Sequence, residues 1–220
     1  MVKNNLYDAV LFDVDGTLVY TLPGYMEGLV GEVLSDLGKK TNGKNISKLV
    51  KEFWFKGDRE VFLREKFGVD PDLFWSTFRE HDPPGRRMEA TRAYYDVWVI
   101  NHIRKMSIKT GIVTGAPREI SMMNLGLLKE QEFDVKINAY DEYGVRAKPN
   151  PHGIELCLDI LGVKPERAMY VGNGDEDIFA ARAAGVDGAL ILRGDYEFPN
   201  LNPKITVYSL WELKGLIRSC

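Results

Sequence analysis

The sequence predicts an α/β protein in which a doubly wound, Rossmann-like parallel sheet carries an inserted helical domain. Short apolar runs alternate with helical patterns from residue 86 onward, which is typical of parallel sheets covered by helices. A further apolar run lies near the N-terminus, and four helical patterns with no intervening strand pattern follow it. We therefore expect a core domain made of residues 1–16 and 86–220, and a helical domain over residues 17–85.

The composition is that of a folded globular protein. The chain has 220 residues, of which 45% are hydrophobic and 28% are charged. This length suits one large domain or a domain with an insertion. The formal net charge of −3 provides no basic footprint for a nucleic acid.

The cysteines and the apolar segments indicate the expected environment. Cys157 and Cys220 have no metal-ligand spacing, and a disulfide framework is not expected. No apolar stretch approaches the roughly 20 residues that cross a bilayer. The first residues lead directly into a strand pattern, so we expect no signal peptide, no membrane partner and a cytoplasmic location.

The elements can be placed along the chain from their periodicity. The first strand is expected at Ala9–Phe12, and Asp70–Pro71 has the residues that begin a helix. Helices of the insertion are predicted at 26–37, 46–54, 58–67 and 70–78. After a linker at 81–85, helices are predicted at 88–106, 117–128, 151–161, 175–184 and from 211. Strands are predicted at 109–114, 133–137, 168–172, 188–192 and 205–208, the last as an edge strand.

Two carboxylates follow the first strand directly. Asp13 and Asp15 are two residues apart, so in an extended chain they face the same side, and Gly16 allows a sharp turn after them. Carboxylates this close repel each other unless a cation or a proton is shared between them. Mg²⁺ suits such oxygen ligands and often bridges carboxylates to phosphate. A polar turn after a strand is the alternative interpretation.

Three other predicted strand ends carry groups suited to a phosphate or a cation. Thr114-Gly115 offers a hydroxyl and a backbone N–H, and Lys148 precedes a proline and a helix. Asn173 and Asp177 follow a buried strand and offer oxygen ligands. Alone, each has a simpler explanation as a turn, a surface lysine or an acidic helix N-terminus. Ligands of a doubly wound sheet bind at the carboxyl ends of the strands, where all four groups are expected.

Together, these four segments resemble the motifs of the haloacid dehalogenase-like (HAD) hydrolases across nearly the whole chain. Asp13 and Asp15 match the first motif, Thr114 the second and Lys148 the third, and residues 171–177 match the fourth. The helical insertion resembles the C1 cap of this family. The overall pattern is similar to that of the phosphoglycolate phosphatase-like members.

The resemblance implies a Mg²⁺-dependent phosphatase that acts on a small phosphorylated metabolite. Asp13 would be the nucleophile that forms an aspartyl-phosphate, and Asp15 the general acid and base. Thr114 and the Gly115 N–H would hold phosphoryl oxygens, and Lys148 would neutralise charge.

The resemblance also implies where Mg²⁺ binds. Asp13, the Asp15 carbonyl oxygen and the fourth motif would hold it, with Asp177 contributing indirectly. Asn173 departs from the family, whose phosphatases usually carry Asp at that position. A phosphomutase, a dehalogenase and a catalytically weak binding or regulatory protein are the alternatives. The substrate and the oligomeric state are not predicted.

Overall fold

The computed structural model describes residues 5–39, 46–55, 58–140, 144–194 and 196–218. The chain forms two compact units. Unit 1 comprises Met1–Tyr20 and Ala93–Cys220, and unit 2 comprises Thr21–Arg92.

The secondary structure alternates through unit 1 and is mainly helical in unit 2. The strands are β1 (Ala9–Phe12), β2 (Val19–Thr21), β3 (Thr91–Ala93), β4 (Lys109–Thr114), β5 (Val135–Asn138), β6 (Ala168–Gly172), β7 (Asp187–Ile191) and β8 (Ile205–Val207). The α-helices are α1 (Pro23–Asp36), α2 (Ile46–Phe55), α3 (Arg59–Phe62), α4 (Pro71–His81), α5 (Pro84–Ala90), α6 (Val99–Arg104), α7 (Arg118–Leu127), α8 (His152–Leu161), α9 (Asp175–Ala183) and α10 (Leu213–Leu216). Short 3₁₀ helices span Pro165–Arg167 and Leu210–Glu212, and a π-helical turn spans Leu63–Phe67.

Unit 1 is built on a six-stranded parallel sheet with the strand order β5-β4-β1-β6-β7-β8. The side chains of β1 alternate between two buried clusters. Val10 and Phe12 pack into one cluster, and Ala9 and Leu11 pack into the other. A strand that is buried on both faces reads as a continuous apolar run, which is why β1 is apolar throughout. This architecture confirms the predicted α/β, Rossmann-like fold class.

Unit 2 is held together by an aromatic core. Phe53 is fully buried, and its ring lies 5.5 Å from that of Phe74 and 5.8 Å from that of Trp75. Such ring pairs stabilise a core beyond the area they bury. At the start of α4 the Asp70 carboxylate accepts a hydrogen bond from Leu73 N, as the helix-capping pattern predicts.

The helix predicted at 88–106 was wrong. The structure has α5, then β3, then a turn, and only then α6. The short strand β2, which the sequence did not reveal, pairs with β3 in a separate two-stranded sheet. The chain therefore leaves the helical pattern because a segment some 70 residues away supplies its hydrogen-bond partners, as in the Thr21–Thr91 hydroxyl contact at 3.1 Å.

The bounds of unit 2 differ from those of the insertion expected at residues 17–85. Unit 2 begins at Thr21 and ends at Arg92. Both boundaries fall within β2 and β3, the strands that the periodicity did not indicate.

Cys157 is the one cysteine in the part of the chain that the structure describes. Cys157 is a free, buried thiol, and burial raises its pKa to about 12, whereas Cys220 lies outside the described residues. Among the residues that the structure describes, no helix has the length and apolarity to cross a membrane.

Candidate active site

The parallel register brings the predicted site residues of unit 1 to one edge of the sheet. Phe12, at the end of β1, pairs with Ile112 of β4 and Val171 of β6. Asp13 comes one residue after Phe12, and Thr114 and Asn173 come two residues after its partners. The carboxyl ends of the three central strands therefore present these side chains side by side, as expected for a ligand site in a doubly wound sheet.

A tight turn follows Asp13 and reverses the chain. Gly16 has a φ of 77°, and its N–H donates to Val19 O at 2.7 Å. The Asn173 side chain packs directly against this glycine, since a Cβ on Gly16 would lie 2.0 Å from Asn173 Nδ2. Only glycine fits both the backbone conformation and the space, and the contact brings Asn173 to the Asp13–Asp15 turn.

Lys148 joins two of the acidic residues. Its Nζ donates to Asp13 Oδ1 at 2.7 Å and to Asp177 Oδ1 at 2.6 Å. All three residues are buried, with exposed fractions of 8% for Lys148, 6% for Asp13 and 2% for Asp177. A buried lysine with two carboxylate partners is held in place, because leaving any of these charges unpaired is costly.

Tyr170 and Gly172 also belong to this cluster, although the sequence indicated no role in the site for either residue. Tyr170 OH accepts a hydrogen bond from Lys148 Nζ at 3.1 Å and lies 3.0 Å from Val113 O. A Cβ on Gly172 would lie 2.3 Å from Asp177 Cγ, so the glycine lets this carboxylate approach the strand. A tyrosine within a buried apolar strand carries a polar group that needs a partner, and this could have indicated the cluster.

The cluster perturbs the ionisation of its members. Burial raises the pKa of Asp13, Lys148 lowers it, and the Asp177 and Asp15 charges raise it again, to about 7. Burial lowers the pKa of Lys148, but the charges of Asp13 and Asp177 raise it well above its ordinary value. These two carboxylates therefore stabilise the charged form of Lys148 beside Asp13.

Thr114 ends β4 with its side chain buried. Its hydroxyl oxygen accepts a hydrogen bond from Ala116 N at 3.2 Å, which leaves the hydroxyl hydrogen available as a donor. The neighbouring Gly115 is exposed. This turn thus offers a hydroxyl donor at the carboxyl end of β4, the strand that pairs with β1.

Asp15 has a partner that the sequence analysis missed. Asn124, on α7, donates from Nδ2 to Asp15 Oδ1 at 2.9 Å. Asn124 is fully buried, whereas Asp15 is half-buried. A polar residue within the apolar pattern of a helix was the available signal for this contact.

A second buried ion pair, Arg193–Asp96, contacts the turn that follows Asp13. Arg193 donates through both Nη atoms to Asp96, at 2.7 and 3.1 Å, and its Nη2 donates to Thr17 O at 2.7 Å. The Thr17 hydroxyl lies 3.4 Å from Asp13 Oδ2. Neither Arg193 nor Asp96 stood out in the sequence, because their pairing spans 97 residues.

The oxygen donors at the turn suit a hard cation such as Mg²⁺. The Asn173 amide lies against Gly16, in the turn that follows Asp13, and amide and carboxylate oxygens are both ligands of such cations. Both Asp177 oxygens are engaged, one by Lys148 and the other by Gly174 N at 2.9 Å. In the described part of the chain, no group of three or more His, Cys, Asp or Glu is arranged to hold a metal. A metal ion bound at this turn would therefore need neutral oxygens as ligands beside the Asp13 carboxylate.

Comparisons with known proteins agree with this geometry. The model of the haloacid dehalogenase-like hydrolases matches residues 7–185. The pyrophosphatase PpaX of Bacillus cereus strain AH820 is 30% identical over 84% of this chain and 82% of its own length. The phosphoglycolate phosphatase of Aquifex aeolicus is 28% identical over 95% of this chain and 94% of its own. A crystal structure of a candidate phosphoglycolate phosphatase from Lactobacillus plantarum has a TM-score of 0.76 at 20% identity, covering 96% of this chain and 99% of that one.

Proposed function

Because the chain belongs to the haloacid dehalogenase-like hydrolases, we propose that it is a Mg²⁺-dependent phosphatase that hydrolyses a small phosphorylated metabolite through an aspartyl-phosphate. The observation that carries the proposal is the position of Lys148, whose Nζ lies 2.7 Å from Asp13 Oδ1. Lys148 engages Oδ1, so the attacking oxygen is Oδ2, which lies 3.4 Å from the Thr17 hydroxyl, and a fixed positive charge lies beside the reacting group.

In the first step, Asp13 Oδ2 attacks the phosphorus atom of the substrate. The new O–P bond forms as the bond between phosphorus and the leaving oxygen breaks, and the Asp15 carboxyl passes its proton to that oxygen. Lys148, the Thr114 hydroxyl and the Gly115 N–H stabilise the charge on the phosphoryl oxygens.

In the second step, water hydrolyses the aspartyl-phosphate. The Asp15 carboxylate takes a proton from the water, whose oxygen attacks phosphorus while the O–P bond to Asp13 breaks. Inorganic phosphate leaves, and Asp13 and Asp15 return to their starting ionisation states. The same residue serves as acid and then as base, so its carboxyl must face the same oxygen position in both steps.

Asp13, the Asp15 carbonyl oxygen and Asn173 would hold Mg²⁺, which supplies positive charge to the transferring phosphoryl group when it is bound. Asp177 acts indirectly, since Lys148 and Gly174 N occupy its oxygens. We further propose that the helical unit is the substrate-selecting cap and that the protein acts in the cytoplasm on a small phosphorylated substrate.

The alternatives differ from this proposal in testable ways. A phosphomutase would return the phosphoryl group to a second hydroxyl instead of water. A dehalogenase has no use for an acid–base carboxyl at Asp15, and Asn124 is hydrogen-bonded to that carboxyl. A binding or regulatory protein would show no turnover, and the neutral Asn173 is the residue that favours this alternative.

The test is a panel of phosphate esters, with phosphoglycolate and inorganic pyrophosphate included because relatives carry those names. Phosphate release is measured with and without Mg²⁺ for the wild type, for Asp13→Ala and for Asp159→Asn, which alters an exposed carboxylate on α8. We expect Mg²⁺-dependent release by the wild type and the Asp159 variant, and none by the Asp13 variant. Release that survives Asp13→Ala would overturn the assignment of the nucleophile.

A further inference from the structure

We propose that Asn124 is a positioning residue that orients the Asp15 carboxyl for proton transfer. This inference rests on the proposed function and extends it to a residue outside the four motifs. Asn124 lies on α7, and its Nδ2 donates to Asp15 Oδ1 at 2.9 Å across 109 positions of sequence.

The buried position of Asn124 argues for a role beyond packing. The residue has no exposed surface, and its Oδ1 has no hydrogen-bond partner among the residues that the structure describes. A buried amide oxygen without a partner destabilises the folded state, so an apolar side chain of similar size would suit this place in the core better. The hydrogen bond to Asp15 is the interaction that an apolar residue could not provide.

This hydrogen bond distinguishes the two oxygens of Asp15 as carriers of the proton. The Asn124 NH₂ group is a donor only, so the oxygen that it contacts must act as an acceptor. The carbonyl oxygen of a protonated carboxyl is a better acceptor than its hydroxyl oxygen, so the contact favours the proton on Oδ2, the oxygen that Asn124 does not contact. The contact also restrains rotation about the Cβ–Cγ bond, so Oδ1 and Oδ2 keep their positions through both proton transfers.

If Asn124 orients Asp15, the loss of activity in an Asn124 variant depends on the leaving group of the substrate. Protonation matters most when the leaving oxygen is strongly basic and least when it departs readily as an anion. The substrates are phenyl phosphate, 4-nitrophenyl phosphate and 2,4-dinitrophenyl phosphate, in order of improving leaving group. The ratio kcat/KM reports the first chemical step for each ester.

The main variant is Asn124→Leu, which keeps the branched shape of the side chain and removes the donor. We expect kcat/KM to fall about 100-fold for phenyl phosphate and by less than about threefold for 2,4-dinitrophenyl phosphate. Ser121→Ala is the matched control, because Ser121 is buried one turn earlier on α7. This control should lower kcat/KM equally, if at all, for the three esters.

Folding of each variant is followed by circular dichroism and thermal unfolding. If Asn124→Leu does not fold, Asn124→Ala replaces it with the same expectation, because it relieves crowding while still removing the donor. Equal losses across the three esters, with an active wild type, would overturn the role of Asn124 alone. A wild type inactive on every ester would overturn the proposed function, and this inference with it.

Discussion

Gly16 and Asn173 are packed so closely that a Cβ on Gly16 would lie 2.0 Å from Asn173 Nδ2. The two residues follow neighbouring strands, and their contact fixes the amide at the turn that carries Asp13 and Asp15. The backbone of the first motif therefore determines where the side chain of the fourth motif lies.

Gly16→Ala should weaken Mg²⁺ binding as well as stability. The left-handed φ of 77° costs a side chain roughly 1–2 kcal/mol, and the new methyl group must also displace Asn173. We expect a higher half-saturating Mg²⁺ concentration by calorimetry. The control is Gly38→Ala in unit 2, where φ is 72° but no atom lies within 4 Å of the added Cβ. Only its stability should fall, and an equal effect on Mg²⁺ in both variants would contradict the prediction.

Asn173→Asp should strengthen Mg²⁺ binding. The substitution adds one negative charge about 2 Å from the metal, which is favourable by several kcal/mol at an effective dielectric near 20, before desolvation reduces the gain. We expect the midpoint of a calorimetric Mg²⁺ titration to fall, and the Mg²⁺ requirement for turnover to fall with it. Asn202→Asp adds the same charge at an exposed position before β8 and should leave the midpoint unchanged. An unchanged midpoint for Asn173→Asp would mean that this side chain does not contact the metal.

Lys148→Met should destabilise the protein strongly. It leaves Asp13 and Asp177 buried without their shared cation, and breaking a buried pair in this way costs about 3–5 kcal/mol. Lys204→Met is the control, since its 2.7 Å contact with Asp187 is on the surface, with the lysine side chain 70% exposed. This control should lose less than about 1 kcal/mol in urea denaturation. Similar losses of unfolding free energy in the two variants would show that the buried contacts of Lys148 with Asp13 and Asp177 do not stabilise the fold.

The stability of the protein should depend on Asp96 in acid. Burial raises the pKa of Asp96, but hydrogen bonds from Arg193 and Leu210 N lower it, and the net pKa lies below its ordinary value. A lowered folded pKa stabilises the protein above the unfolded value of about 3.9, and this stability is lost as pH falls through the folded value.

The Asp96→Asn variant isolates this contribution. It should unfold more easily at neutral pH, because Arg193 loses its charged partner, and its stability should fall less steeply than that of the wild type as pH decreases below about 4. Urea denaturation of both proteins from pH 6 downward measures the two slopes. Parallel curves would contradict the assignment of this acid dependence to Asp96.

Most of the helices and strands could be predicted, because the apolar runs and capping residues that indicate them are adjacent in the sequence. The apolar run of β1, the capping Asp70 and the alternation after residue 108 correspond to elements of the structure. The prediction of one helix over 88–106 failed, because the helical periodicity of this segment competes with the pairing of β3 to β2. That pairing partner cannot be recognised from the segment itself.

By itself, the sequence determined which residues end the central strands, because apolar runs and the residues after them are adjacent in the chain. Asp13, Thr114 and Asn173 could therefore be assigned to one edge of the sheet before any geometry was available. Only the tertiary structure decided which partners the residues of this edge have. Lys148 lies between Asp13 and Asp177, Asn124 donates to Asp15, and Arg193 donates to the Thr17 carbonyl oxygen. These contacts join residues 29 to 176 positions apart, and hydrogen bonds over such separations depend on the packing of the whole sheet and its helices, which no local pattern encodes.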